Sequence, residues 1–265
     1  MAKTGQPNPI ISIRSISKTY RSRSNAVDAL RDISFDIVKG EFVSFLGPSG
    51  CGKSTLMMIL VGLAKADGGE ILIDGRRIDT PFTDVGIVFQ NPELLDWRTA
   101  LKNILLQIEI RRLPVQKYSE RARELLAQVG LAGFDDRYPH ELSGGMKQRV
   151  ALCRALIHDP EILLMDEPFG ALDALTRDQM NSDLQRIWLD QRKTAVLVTH
   201  SIDEAVFLSD RIVVMTPRPG TVAEVISIKL PRPRTVESRN TPEFNEYVAG
   251  IRRYFFSLGV LKDER

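Results

Sequence analysis

The residues Gly47, Pro48, Ser49, Gly50, Cys51, Gly52, Lys53, Ser54 and Thr55 satisfy the pattern G-x-x-x-x-G-K-[ST], whose chemistry is phosphate binding. Its glycines let backbone N–H groups turn inward around an anion, and the helix that follows points its positive end at the same place. Lys53 stands where an ammonium meets the β and γ phosphates of a nucleotide, Ser54 where a hydroxyl ligates Mg2+, and Thr55 adds a phosphate contact. Further along, Asp166 and Glu167 follow the apolar run ILLM, just beyond a buried strand, where ligands sit in open α/β sheets. Asp166 suits a magnesium shell, and Glu167 is suited to take a proton from, or to orient, an attacking water. Gln90 and His200 each end a strand-like run, so Gln90 can contact magnesium or water and His200 the γ-phosphate. His140 and His158 read as structural.

A second glycine-bearing tract, LSGGMKQ at residues 142–148, has no lysine placed directly after a loop glycine. Ser143, Gly144 and Gly145 stand at the start of a helix carried on by Val150, Ala151, Leu152, Ala155 and Leu156. Free N–H groups and the helix dipole make such an end an anion site, and Ser143 adds a hydroxyl; simple N-capping by the serine is the plainer reading of these residues alone. This cradle is expected to serve a nucleotide held by another copy of the chain.

The elements that position these groups follow from apolar periodicity. Ile11, Ile13 and Ile16, then Ile33, Phe35 and Ile37, read as strands ahead of the run from Phe42 to Leu46 that enters the first glycine loop. Leu56, Ile59, Leu60 and Leu63 recur at helical spacing beyond it, with Gly62 weakening the last turn. A strand and turn end at Gly75, and a buried strand runs from Val85 to Phe89. Residues 101–156 turn helical, interrupted by Pro114, Gly130, Gly133 and Pro139. Strands return at Ile162, Ala195 and Ile212, with helix-patterned residues 176–189 after the first. Alternating strands and helices predict a mainly parallel sheet covered on both faces. In the tail, Phe244, Tyr247, Ile251, Tyr254, Phe255 and Leu258 form one face of a helix.

Composition narrows the class. The 265 residues carry 36 basic and 34 acidic side chains, a formal net charge of +2, which gives no electrostatic case for wrapping nucleic acid. Cys51 and Cys153 have no metal-ligand spacing, in keeping with a reducing compartment. No run approaches the roughly 20 apolar residues of a membrane span, and the opening MAKTGQPNP lacks the apolar core of a signal peptide.

The ordered set of phosphate loop, glutamine, LSGG, acidic strand end and histidine resembles the ATP-binding cassette family across residues 10–222. The resemblance implies a P-loop NTPase core with an N-terminal antiparallel β subdomain and an inserted α-helical lobe. The ATPase domain is expected at residues 10–225 with the lobe at about 91–158, between a polar, Pro- and Gly-bearing lead-in at residues 1–9 that reads as disordered and a helical tail at 226–265. The resemblance also implies ATP and Mg2+ as bound groups, and a head-to-tail dimer with two composite sites. Tyr20 becomes the aromatic platform for adenine, although a plain strand aromatic reads nearly as well. Asp173 becomes a residue bridging the dimer. Two positions depart from the family pattern: Gly170 stands where a serine is usual, removing one hydroxyl contact, and Met146 where glutamine is frequent.

A chain of this family without a span of its own is expected to sit on the cytoplasmic face of the inner membrane, docked to separate permease subunits. The segment NPELLDWRTALKN after Gln90, with Leu94, Leu95 and Trp97, is the expected contact, while lobe core is the alternative for those side chains. The tract MTPRPGTV at residues 215–222, the LSGGMKQR signature and the short tail look like the nitrate, sulfonate and taurine importer branch. In that branch an extracytoplasmic binding protein delivers the cargo. An exporter or lipid-trafficking ATPase is the alternative. DNA-repair and chromosome-organising relatives carry a long coiled coil where this chain has only the stretch from Thr55 to Leu142, and translation-associated relatives carry two cassettes.

Overall fold

Long antiparallel strands open the chain in the computed structural model, which describes residues 8–22 and 25–261. Strand β1 (Pro9–Arg21) pairs with β2 (Ala26–Val38), and β3 (Phe42–Leu46) leads into helix α1 (Lys53–Leu60). Strands β4 (Gly68–Ile73) and β5 (Arg76–Arg77) complete the order β2-β1-β4-β5. Of the expected lead-in, residues 1–7 lie outside the described residues, and β1 starts at Pro9. Alternation drives β1 and β2: Ile11, Ile13, Ile16, Ile33 and Ile37 are buried, each stabilising the fold by about 2 kcal/mol relative to exposure. β3 is buried along its whole length and apolar except at Ser44, whose hydroxyl is paired with that of Ser209. Helix α1 stops short of the expected Leu63, which is 49% exposed, as the chain turns left-handed at Gly62.

The next stretch holds β6 (Val85–Val88), α2 (Ala100–Ile110), α3 (Val115–Gln128), α4 (Gly144–Leu156), β7 (Ile162–Asp166), α5 (Ala174–Gln191) and β8 (Thr194–Thr199). Strands β6, β7 and β8 run parallel in adjacent pairs. After them come α6 (Ile202–Leu208), β9 (Arg211–Met215), β10 (Val222–Ser227) and α7 (Pro242–Ser257). β9 is parallel to β3 and antiparallel to β10, an edge partner that residue patterning did not predict.

The chain divides into two units, one of residues 1–83, 200–229 and 246–265, the other of residues 84–199 and 230–245. In the first, the α7 tyrosines are tied to the β10 region: Tyr254 donates to the Ala223 carbonyl at 3.1 Å, and Tyr247 accepts from the Lys229 N–H. In the second, residues 232–239 follow α5. Arg234 and Gln185 exchange hydrogen bonds in both directions, Arg239 pairs with Asp178, and Arg232 lies 4.4 Å over the Trp188 ring. No helix of the described residues is long and apolar enough to cross a membrane.

Candidate nucleotide site

In the first unit, β3 ends at Leu46 and the glycine loop carries the chain to the start of α1. Gly52 precedes that helix at φ 106, and a Cβ there would lie 2.7 Å from the Ala29 carbonyl oxygen, so only glycine fits. Lys53 is 4% exposed, and its ammonium donates to the carbonyls of Gly47 at 2.8 Å and Pro48 at 3.0 Å. The Cys51 N–H reaches the same Pro48 oxygen at 3.3 Å. Two donors therefore converge on one carbonyl oxygen of the loop. Ser54 is exposed in the first turn of α1, next to half-buried Thr55. Tyr20, 49% exposed on β1, has its hydroxyl 3.4 Å from Thr55 Oγ1, so the expected aromatic lies beside the end of the loop. His200 is exposed between β8 and the N-cap of α6, Ser201, whose side chain accepts from the Glu204 N–H.

The second unit gathers Gln90, Ser143, Gly144, Gly145, Asp166, Glu167 and Asp173. Asp166 is the last residue of β7, and Glu167 follows with φ 44, a left-handed value unusual for a side-chain-bearing residue. The Glu167 N–H donates to Val198 of β8 at 2.8 Å, and its carbonyl accepts from Gly170 at 3.1 Å, closing a tight turn through Pro168. A Cβ built on Gly170 would lie 3.8 Å from both Gln90 Nε2 and Glu167 Oε2. The amide and the carboxylate thus flank the position where a serine was expected.

Ser143 is the N-cap of α4, its hydroxyl accepting from the Met146 N–H at 3.3 Å, and both Ser143 and Gly144 are exposed. Gly145 is buried, and a Cβ there would come within 2.7 Å of Thr176 Cγ2. That contact sets the start of α4 against the start of α5, whose N-cap is Asp173. The Thr176 hydroxyl and N–H hold the Asp173 carboxyl below its ordinary value, as expected for an anion receiving donors at a helix N-terminus.

Sequence reasoning passed over three residues that hold this unit's loops. Gln148, 2% exposed on α4, donates to the Phe89 carbonyl at 3.0 Å, directly before Gln90. Arg154, also on α4, forks onto the carbonyls of Pro92 and Glu93, each at 2.6 Å, just beyond Asn91 on the other side of Gln90. Arg177 on α5 donates to the carbonyls of Phe169 and Leu172 in the turn between Glu167 and Asp173. In sequence these are ordinary polar residues of helices, and only their carbonyl partners set them apart. Cys153 is buried, and burial pushes its thiol far up, so it is inert.

This arrangement has relatives. The family model for ABC transporters matches residues 30–170. The chain is 46% identical over 96% of its length to an uncharacterized ABC transporter ATP-binding protein of Methanocaldococcus jannaschii, 92% of which is covered. It is 44% identical over 95% of its length to an aliphatic sulfonates import ATP-binding protein of Bacillus cereus, 98% of which is covered. Among solved structures, a dimeric bacterial ABC transporter cassette superposes with TM-score 0.74 at 34% identity, covering 83% of this chain and 99% of that one. A dimeric post-hydrolysis state of an ATP-binding cassette with ADP and Pi superposes equally well at 33% identity. A phosphate loop, a capped LSGG helix and an acidic strand end on an α/β P-loop NTPase fold, carried by a chain with these relatives, identify it as a member of the ABC transporter family and an ATP-hydrolysing cassette.

Proposed function

We propose that this ATPase drives import of a small anion such as an aliphatic sulfonate, taurine or nitrate. The observation carrying this reading is the 44% identity, over nearly the whole of both chains, to the aliphatic sulfonates import protein. ATP binds in the Lys53 loop with adenine against Tyr20. Glu167 accepts a proton from the water that attacks the γ-phosphorus as the bond to ADP breaks, and His200 holds the γ-phosphate. Ser54, Gln90 and Asp166 are the groups that would hold Mg2+. They offer a hydroxyl, an amide oxygen and a carboxylate, the hard oxygens this ion takes together with phosphates. Bound there, the ion would neutralise phosphate charge. Among the described residues no cluster of three or more His, Cys, Asp or Glu offers an alternative cage.

The LSGG end of α4 serves the nucleotide of a second copy, with Asp173 bridging the pair, a reading supported by the exposure of Ser143 and Gly144 and by the dimeric relatives. The permease contact falls on the segment after Gln90. Trp97 is 74% exposed there, while buried Asn103 holds the loop through Leu95 N–H and the carbonyls of Leu95, Arg98 and Thr99. An exposed indole on a pinned loop is presented ready to dock. Peripheral attachment to the cytoplasmic membrane face follows, with an extracytoplasmic binding protein supplying cargo.

The test is purification of the tagged full chain in mild detergent. An integral membrane subunit is expected to accompany it, and Trp97→Ala is expected to lower the recovered subunit about tenfold, more than it lowers ATPase activity. In vesicles rebuilt with that subunit and its binding protein, sulfonate should raise ATP hydrolysis. A chain accompanied only by soluble partners would sink the reading.

A further inference from the structure

The tract at residues 215–222 marked a branch in the sequence, and nothing in the site described so far uses it. It lies against the phosphate loop at several points within the first unit. Arg218 Nε donates to the Gly50 carbonyl at 3.1 Å. A Cβ on Gly220 would fall 2.1 Å from the Cys51 carbonyl oxygen, so only glycine permits this approach. A Cβ on Gly47 would lie 3.1 Å from Met215 Cβ. The tract is itself anchored: the Gly220 N–H donates to Ala29, the Gly220 carbonyl accepts from Arg31, and Thr216 Oγ1 bonds Pro219 and Thr221.

The C=O of Gly50 and the N–H of Cys51 belong to one peptide plane and point in opposite directions. Fixing the carbonyl on Arg218 therefore fixes the N–H on the other side, where it meets the Pro48 oxygen that Lys53 also reaches. We propose that Arg218 is a positioning residue for ATP binding, holding the Gly50–Cys51 peptide so that its N–H faces the phosphates alongside the Lys53 ammonium, with Gly220 supporting the next carbonyl. Gly50 sits at φ 77, where the backbone has freedom to turn the peptide over, and Arg218 removes that freedom. The inference rests on the chain's place among ATP-hydrolysing cassettes and is independent of what is transported.

The test is MgATP titration and steady-state hydrolysis with the full chain. Arg218→Ala should raise the Kd and KM for ATP by about five- to tenfold, as for loss of one charge-assisted hydrogen bond. Its kcat and its melting temperature without nucleotide should stay near wild type. Arg218→Gln retains a donor for the Gly50 carbonyl and should recover most of the affinity. Unchanged affinity in Arg218→Ala overturns the proposal, as does a fall in kcat and melting temperature with KM unmoved, the mark of a purely structural contact. Should Arg218→Ala fail to fold, Arg218→Gln against Arg218→Met makes the same comparison, and equal affinities in that pair overturn the proposal.

Discussion

Glu167 combines two things that ordinarily conflict, a left-handed backbone and a side chain. For a residue with a Cβ that conformation costs roughly 1–2 kcal/mol, and it persists because neighbours on both sides fix it: Val198 takes its N–H, and Gly170 binds its carbonyl. The turn so formed sets the carboxylate near the Gln90 amide. Glutamine is isosteric and has the same backbone preference, so Glu167→Gln should fold with an unchanged melting temperature and still bind ATP. Removing the general base we assign should lower hydrolysis at least about 100-fold. Phosphate release and a calorimetric ATP titration measure the two effects separately. A variant hydrolysing ATP at the wild-type rate would remove Glu167 from the chemistry.

Helix α4 links three features: its N-terminus is the second cradle, its buried Gln148 and Arg154 hold the chain on either side of Gln90, and its Gly145 touches α5. The two glycines of the cradle therefore have different duties. Among the described residues nothing lies within 4 Å of a Cβ on Gly144, whereas one on Gly145 meets Thr176, a stiff β-branched side chain. Gly145→Val is expected to destabilise the protein by about 1–3 kcal/mol and lower its melting temperature. Gly144→Val should leave that temperature nearly unchanged yet depress ATPase activity if a partner's phosphates rest there. Paired thermal melts and hydrolysis assays decide it, and equal losses of stability would contradict the division. Much at this scale was legible in the sequence. β3 and β7 read as strands because they are buried throughout or nearly so and are apolar apart from Ser44 and the terminal Asp166, and the glycine loops carry their own spacing. β10 was not legible, since its half-exposed residues show no clean alternation. Gln148, Arg154, Arg177 and Arg218 were not legible either, because a polar side chain that braces a distant carbonyl looks in sequence like one that faces water.

At the scale of the whole chain, the formal charge of +2 leaves little net self-repulsion at neutral pH, so pH acts through individual groups. Carboxyls such as Asp36, Asp159 and Asp173 are held below their ordinary value of 3.8. Their contribution is present above that value and is lost only as pH falls through their lower folded values. His158, just beyond α4, titrates in a different window. Burial, reinforced by the Arg111 and Lys193 charges and opposed by Asp84, lowers its imidazole from 6.5 to about 4. Above 6.5 both folded and unfolded chains carry it neutral, and it has no effect. Between 6.5 and about 4 the unfolded chain takes up a proton that the folded chain refuses, so stability falls as pH falls; below about 4 both are protonated and the loss levels off. His158→Gln cannot take that proton. Between pH 7 and pH 4.5, its melting temperature should therefore fall less than that of the wild type, by about 5 °C, whatever its starting value at pH 7. Thermal melts of both proteins across that range measure the difference, and parallel profiles would show that His158 is protonated as readily in the folded chain as in the unfolded one.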